Sequence, residues 1–90
     1  MAHEIRIPAP MRRLTNGERT IRATGATLAA ALQDAVRQHP DLAGRLFADD
    51  GTLRLDARVF IGGDEPAGDP LAAPLADGEV VTILAPIAGA

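Results

Sequence analysis

The residues whose type and order best suit chemistry are the last five, Pro86-Ile87-Ala88-Gly89-Ala90. They directly follow the apolar run Val80-Val81-Thr82-Ile83-Leu84 and carry almost no side-chain bulk. A backbone that leaves a buried strand in this form can be threaded into a partner's narrow channel, and five extended residues reach roughly 17 Å. The reacting group would then be the terminal carboxylate. A frayed terminus in an alanine-rich chain has the same appearance, so the remaining sequence has to decide between the two.

Other candidates are weaker. Asp49-Asp50 and Asp64-Glu65 are paired acids of the kind used in general acid-base catalysis. Both flank glycine in expected turns, which makes them solvated loop charges. His3 and His39 are the two histidines of a chain without cysteine, a poor basis for a metal site. They are expected at a strand start and a helix end, where a charged His39 would be favoured by the helix dipole. Gly62-Gly63 has neither the spacing nor the lysine of a phosphate-binding loop, and Arg12-Arg13 is too small a cluster for a nucleic-acid claim.

Composition narrows the classes further. Hydrophobic content of 47% and charged content of 23% are those of a globular domain. Ninety residues make one domain that buries only about 60 to 65% of the surface its unfolded chain exposes. Such a thin core leaves no room for a large enclosed pocket, so a stand-alone active site is not expected. The absence of cysteine removes disulfides, thiolate nucleophiles and cluster ligation. No metal ion and no bound cofactor are expected.

All nine basic residues are arginine, and the net charge is -3. With only Phe47 and Phe60 as aromatics, neither a basic phosphate-binding face nor a stacking platform is available, and nucleic acid is not an expected partner. No lysine is present to accept an isopeptide bond from another copy. No apolar run approaches the roughly 20 residues of a membrane span, and the first residues lack a leader pattern. The expectation is a cytoplasmic protein with no membrane partner.

The elements that would position the tail can be traced along the chain. Glu4-Ile5-Arg6-Ile7 alternates as a half-buried strand until Pro8 and Pro10 remove amide donors. Asn16-Gly17 suits a tight hairpin turn, with Glu18 to Ala23 as the returning strand. From Thr27 to His39 the period becomes helical, with Leu28, Leu32, Ala35, Val36 and His39 on one face. Thr24 and Thr27 are candidate N-caps, Pro40 ends the helix, and Asp41 could cap a short helical turn carrying Leu42, Leu46 and Phe47.

After a turn at Asp49-Asp50-Gly51, the alternation from Leu53 to Ile61 predicts a strand that Gly62-Gly63 breaks. A brief extended piece is expected near Leu71 to Leu75, and Asp77-Gly78 turns the chain into a last strand from Glu79 to Leu84. Its near-continuous apolar character predicts a strand buried in the middle of the sheet rather than at its edge. This order packs as one main helix across a mixed sheet of four to five strands, an α+β fold of the β-grasp, ubiquitin-like type. The expected division is residues 1–85 as the domain and 86–90 as a flexible tail. A partner surface is expected on the sheet face where Phe60 and Arg58 stand opposite Val59 and Ile61; the alternative is that Phe60 is core.

The stretch from Ala76 to Ala90 resembles the ubiquitin-like sulfur carriers of the MoaD/ThiS/CysO family, with the acidic-glycine turn Asp77-Gly78, the strand Val80 to Leu84, the exit Pro86-Ile87 and the small-residue tail. The helix start Ala26-Thr27-Leu28 and the early Ile5-Arg6-Ile7-Pro8 also fit, so the resemblance spans nearly the whole chain. Length and tail favour the cysteine-biosynthesis and molybdopterin branches over the thiamine one.

The resemblance implies a co-substrate, not an enzyme. A ubiquitin-activating-enzyme-like adenylyltransferase would use ATP to adenylate the C-terminal carboxylate, sulfur would displace AMP, and the thiocarboxylate would serve a sulfur-accepting synthase making cysteine, a related metabolite or molybdopterin. Small residues suit a tail that must lie in a confined cleft. Gly89 matches the family's penultimate glycine, and Ala90 stands where the family has a terminal glycine. That departure leaves three readings: the enzyme tolerates alanine, a peptidase removes it, or the chain binds without being charged. The alternative class is therefore a non-catalytic β-grasp binding module.

Overall fold

The computed structural model describes residues 2–54 and 57–84. Four strands form one sheet: β1 (Ala2–Arg6), β2 (Thr20–Thr24), β3 (Arg58–Ile61) and β4 (Val80–Leu84), in the spatial order β2-β1-β4-β3. β1 runs antiparallel to β2 and parallel to β4, and β3 returns antiparallel to β4. The main helix α1 (Leu28–Gln38) and the one-turn helix α2 (Ala43–Leu46) follow β2. This is the β-grasp arrangement expected from the element order, with β4 in an interior position of the sheet.

Side chains explain the packing. Leu28, Ala31, Leu32 and Ala35 are buried on one face of α1, and they meet Ile5, Ile21, Val59, Val81 and Ile83 from the inner face of the sheet. Burying a leucine or isoleucine completely contributes about 1.5 to 3 kcal/mol, so this layer dominates stability. Thr27 caps α1, its Oγ1 accepting from the Ala30 amide at 3.3 Å. Pro40 stops the helix as expected, with the His39 amide still bonded to the Ala35 carbonyl. Thr24, the other candidate cap, ends β2 and donates its amide to Asp34 at 2.9 Å instead.

The entry to α1 is tightly held. A Cβ on Gly25 would lie 2.7 Å from both the Ala30 Cβ and the Ala31 nitrogen, so only glycine lets the β2 exit approach the helix this closely. The Gly25 carbonyl accepts from His3 Nε2 at 2.7 Å. Since a carbonyl only accepts, that ring nitrogen carries the hydrogen.

Several local expectations are corrected. Asn16-Gly17 is not a tight hairpin turn: a 3-10 segment, Ala9–Thr15, fills the connection. Pro10 pre-sets its backbone, and Met11 and Thr15 anchor it in the core. Asn16, at φ 56°, closes the segment with its amide on the Arg12 carbonyl. The positive φ of the pair ends a helix here.

The strand expected from Leu53 begins only at Arg58. Leu53 bridges Phe47, and the amides of Ala48 and Arg54 bond the carbonyls of Thr52 and Leu46, so this stretch folds back on the end of α2. Around Leu71 the chain makes a 3-10 turn, Pro70–Ala72, and only then extends. Leu75 and Ala73 bond the chain at Ala26 and Leu28. Asp41 does not act as a side-chain cap; the turn at Pro40–Leu42 has none.

Candidate functional site

The expected reactive segment Pro86, Ile87, Ala88, Gly89 and Ala90 lies outside the described residues, as does the expected domain boundary after residue 85. What the structure describes is the launching strand. β4 pairs with β1 at Glu4↔Val80, Ile5↔Val81 and Arg6↔Thr82, and with β3 from Ile61↔Val81 to Arg58↔Leu84. Pairing on both sides makes it one of the most constrained segments of the fold. The strand is held by its neighbours up to Leu84, the last residue described.

β4 is not buried on both faces, although its sequence is almost wholly apolar. Val81 and Ile83 point into the core, while Val80 and Thr82 are half-buried on the other face and Leu84 is 47% exposed. Leu84 is the single exposed large hydrophobic residue among the described ones. Phe60 sits next to it on β3, half-buried and opposite Thr82, outside the core cluster. Phe60 and Arg58 therefore lie on the outer face, as the partner-surface reading requires and contrary to the core alternative.

The Arg58 guanidinium carbon lies 5.8 Å from the centre of the Phe60 ring, within range of a cation-π contact. Arg58 also holds Glu65 in a two-pronged pair, with Nε to Oε2 at 3.2 Å. Hydrogen bonding to Arg58 keeps the Glu65 carboxyl below its ordinary range, and the same contact raises Arg58. The outcome is an outer face on which Phe60 and Leu84, with Arg58 and Glu65 at their rim, lie towards the point where the chain leaves the sheet, and Val80 lies at the other end of β4. Sequence reasoning found Phe60 and Arg58 but missed Leu84, Val80 and Glu65. The strand's period-2 alternation was the available signal, masked by residues that are apolar on both faces.

Remaining candidates resolve as structural groups. Asp50 accepts from the Thr52 hydroxyl and amide, and those bonds hold its carboxyl low, the reverse of what a general acid needs. Asp64 closes the Gly62-Gly63 turn by backbone bonds to Ile61. Arg12 donates to the Ile7 carbonyl. His3 is 2% exposed on the inner face of β1, and His39 closes α1. Among the described residues no group of three or more potential ligands could hold a metal ion, and no helix is long and apolar enough to cross a membrane.

Comparison with known proteins adds independent findings. No family model matches the chain. The sulfur carrier protein CysO of Mycobacterium tuberculosis is 30% identical over 88 residues, covering 94% of this chain and 95% of the relative. Among solved structures, SAMP1 from Haloferax volcanii superposes with a TM-score of 0.87 at 30% identity over 100% of both chains. The structure of the Amycolatopsis orientalis BexX/CysO complex matches with a TM-score of 0.88 at 28% identity, covering 98% of this chain and 99% of the matched one.

Proposed function

The chain belongs to the MoaD/ThiS/CysO-like family of ubiquitin-like sulfur carriers, and from that membership we propose that it carries sulfur as a thiocarboxylate at the end of the tail that β4 launches. Carriers of this kind are consumed and regenerated by other enzymes and are not themselves catalysts. The observation that carries the reading is the coincidence of two features: a strand paired with both neighbours, and the apolar side chains of Phe60 and Leu84 on the outer face towards its exit.

In this reading residues 1–85 are the body and 86–90 the working tail. An ATP-dependent adenylyltransferase docks on the outer sheet face, with Phe60 in a pocket and Arg58 at its rim, and draws Pro86 to Ala88 into a narrow cleft. The carboxylate at Ala90, or at Gly89 once Ala90 is removed, attacks the α-phosphate of ATP and releases pyrophosphate. Sulfide sulfur then attacks the acyl carbon, the C–O bond to AMP breaks, and the thiocarboxylate remains. A synthase that binds the same face takes the sulfur onward, towards cysteine, a related metabolite or molybdopterin. The matched CysO crystallised in a complex with BexX supports docking of this kind.

The test is intact mass after incubation with ATP, the activating enzyme and sulfide. Exchange of one oxygen for sulfur is the expected change, and unchanged mass with an enzyme that charges a control carrier would leave the binding-module reading. A second destination is favoured by the match to SAMP1, a small archaeal modifier protein: the same activated carboxyl group could be passed to an amine of a target protein.

A further inference from the structure

An activated carboxyl group is consumed by whichever nucleophile reaches its carbonyl carbon first. With sulfide a C–S bond forms, and with a neutral amine a C–N bond forms. In both cases the C–O bond to phosphate breaks, AMP leaves with the electron pair, and the attacking group gives up its proton to water. A carrier therefore risks acylating itself, and the risk is greatest for amines tethered within reach of the tail, where effective concentrations are high.

Two cationic side chains stand at that position. Arg6 on β1 pairs with Thr82, and Arg58 on β3 pairs with Leu84, so one cation flanks each side of the launching strand on its outer face. Their side chains are 59% and 62% exposed, held by Glu4 and Glu65 respectively. Both pair within the last three residues of β4, and five further residues, which span roughly 17 Å when extended, are long enough to turn back to either. A guanidinium stays protonated at any working pH and is not an acyl acceptor, whereas a lysine amine loses its proton readily enough to attack.

We propose that Arg6 and Arg58 are non-acylatable cations that flank the end of β4 and so preserve an activated C-terminal carboxyl group for external acceptors, a reading that rests on the charging proposed above. The remainder of the chain follows the same pattern. It has no lysine and no cysteine, and no serine or tyrosine is present in the sequence. Of the threonine hydroxyls, that of Thr15 donates to backbone carbonyls and that of Thr27 accepts the Ala30 amide. Those of Thr24 and Thr52 donate to Asp34 and Asp50, whose carboxyls are held below their ordinary range and so are weak bases for activating a hydroxyl. His3 is buried away from solvent. β1 starts at the opposite end of the sheet from the point where β4 ends, because the two strands run parallel.

The experiment installs the reactive group chemically. The full chain is made as a C-terminal aryl thioester by intein cleavage and thiol exchange, then held in mildly alkaline buffer, and its products are read by intact mass and denaturing gel. The wild-type chain should lose its thioester to water alone. Arg6→Lys and Arg58→Lys should instead yield cyclised monomer, lighter than the hydrolysed form by one water, or branched dimer, with the lysine located by peptide mapping. Matching thermal melts establish that the variants are folded. Self-acylated wild-type product, or variants that only hydrolyse, would overturn the proposal. Because no activating enzyme is involved, this outcome is separate from failure of the charging reading, which appears as unchanged mass with ATP and sulfide.

Discussion

The two faces of one sheet use the same strands for opposite purposes. On the inner face Ile5, Val59, Val81 and Ile83 are between 0% and 2% exposed and meet α1. On the outer face their sequence neighbours Arg58, Phe60, Thr82 and Leu84 range from half-buried to exposed. Period-2 alternation alone separates them, since neighbouring residues on a strand point to opposite sides. The inner face stabilises the fold, and in the proposed function the outer one serves recognition. Substitutions should therefore divide cleanly into those that unfold the protein and those that leave it folded but unable to dock.

The largest loss of stability is expected at Leu32, which is fully buried between α1 and the sheet. Leu32→Ala removes its methyl groups and leaves a cavity, at a cost of about 2 to 5 kcal/mol, readable as a lower denaturation midpoint. Where the variant is still folded, charging by the activating enzyme should be near normal. Gly25→Ala comes next. The new methyl group would meet Ala30 and Ala31 at 2.7 Å, and overpacking of this kind costs about 1 to 3 kcal/mol. A fully stable Gly25→Ala protein would show that the β2 exit can move away from α1 without loss.

The split between the faces also marks what the residues disclosed in advance. Alternation in Glu4 to Ile7, the helical period from Leu28 to Val36 and the stop at Pro40 each reflect local chemistry, and each matched the structure closely. The 3-10 segment at Ala9–Thr15 did not, because Asn-Gly supplies positive φ equally to a hairpin and to a helix end. Leu53 failed for a related reason: alternation predicts an extended chain but not its partner, and Leu53 pairs with Phe47 outside the sheet. The outward exposure of Leu84 depends on which face α1 covers, a tertiary fact absent from any window of β4. The tail itself was legible as a motif by resemblance, with Ala90 as its one departure.

A smaller effect joins the edge of the sheet to the helix. Asp34 on α1 accepts the Thr24 amide and the Arg37 guanidinium, and these bonds, the backbone one foremost, hold its carboxyl below the ordinary range. A folded-state value lower than the unfolded one stabilises the protein above the unfolded value, near pH 4. The contribution disappears as pH falls through the lower, folded value. Asp34→Asn should thus melt below wild type at neutral pH, and the gap should narrow as pH drops below about 4. A constant gap would mean that shape and not charge matters there.

The smallest effect on stability and the sharpest on docking is expected at the outer patch. Phe60→Ala loses a half-buried ring and its contact with Arg58, worth about 0.5 to 1 kcal/mol at an exposed site, so the melting temperature should barely move. Leu84→Asp exchanges an exposed side chain and should behave similarly in the melt. Interface anchors contribute more than about 1 to 2 kcal/mol each to binding, so either change should weaken capture by the activating enzyme about tenfold or more, measured by titration calorimetry. Thr20→Ala, on the same face but across the sheet at β2, provides the control. If it weakened binding as much as Phe60→Ala, recognition would extend over the entire outer face. If neither mattered, the enzyme would be reading the tail alone, and the apolar character of Phe60 and Leu84 would need another partner to explain it.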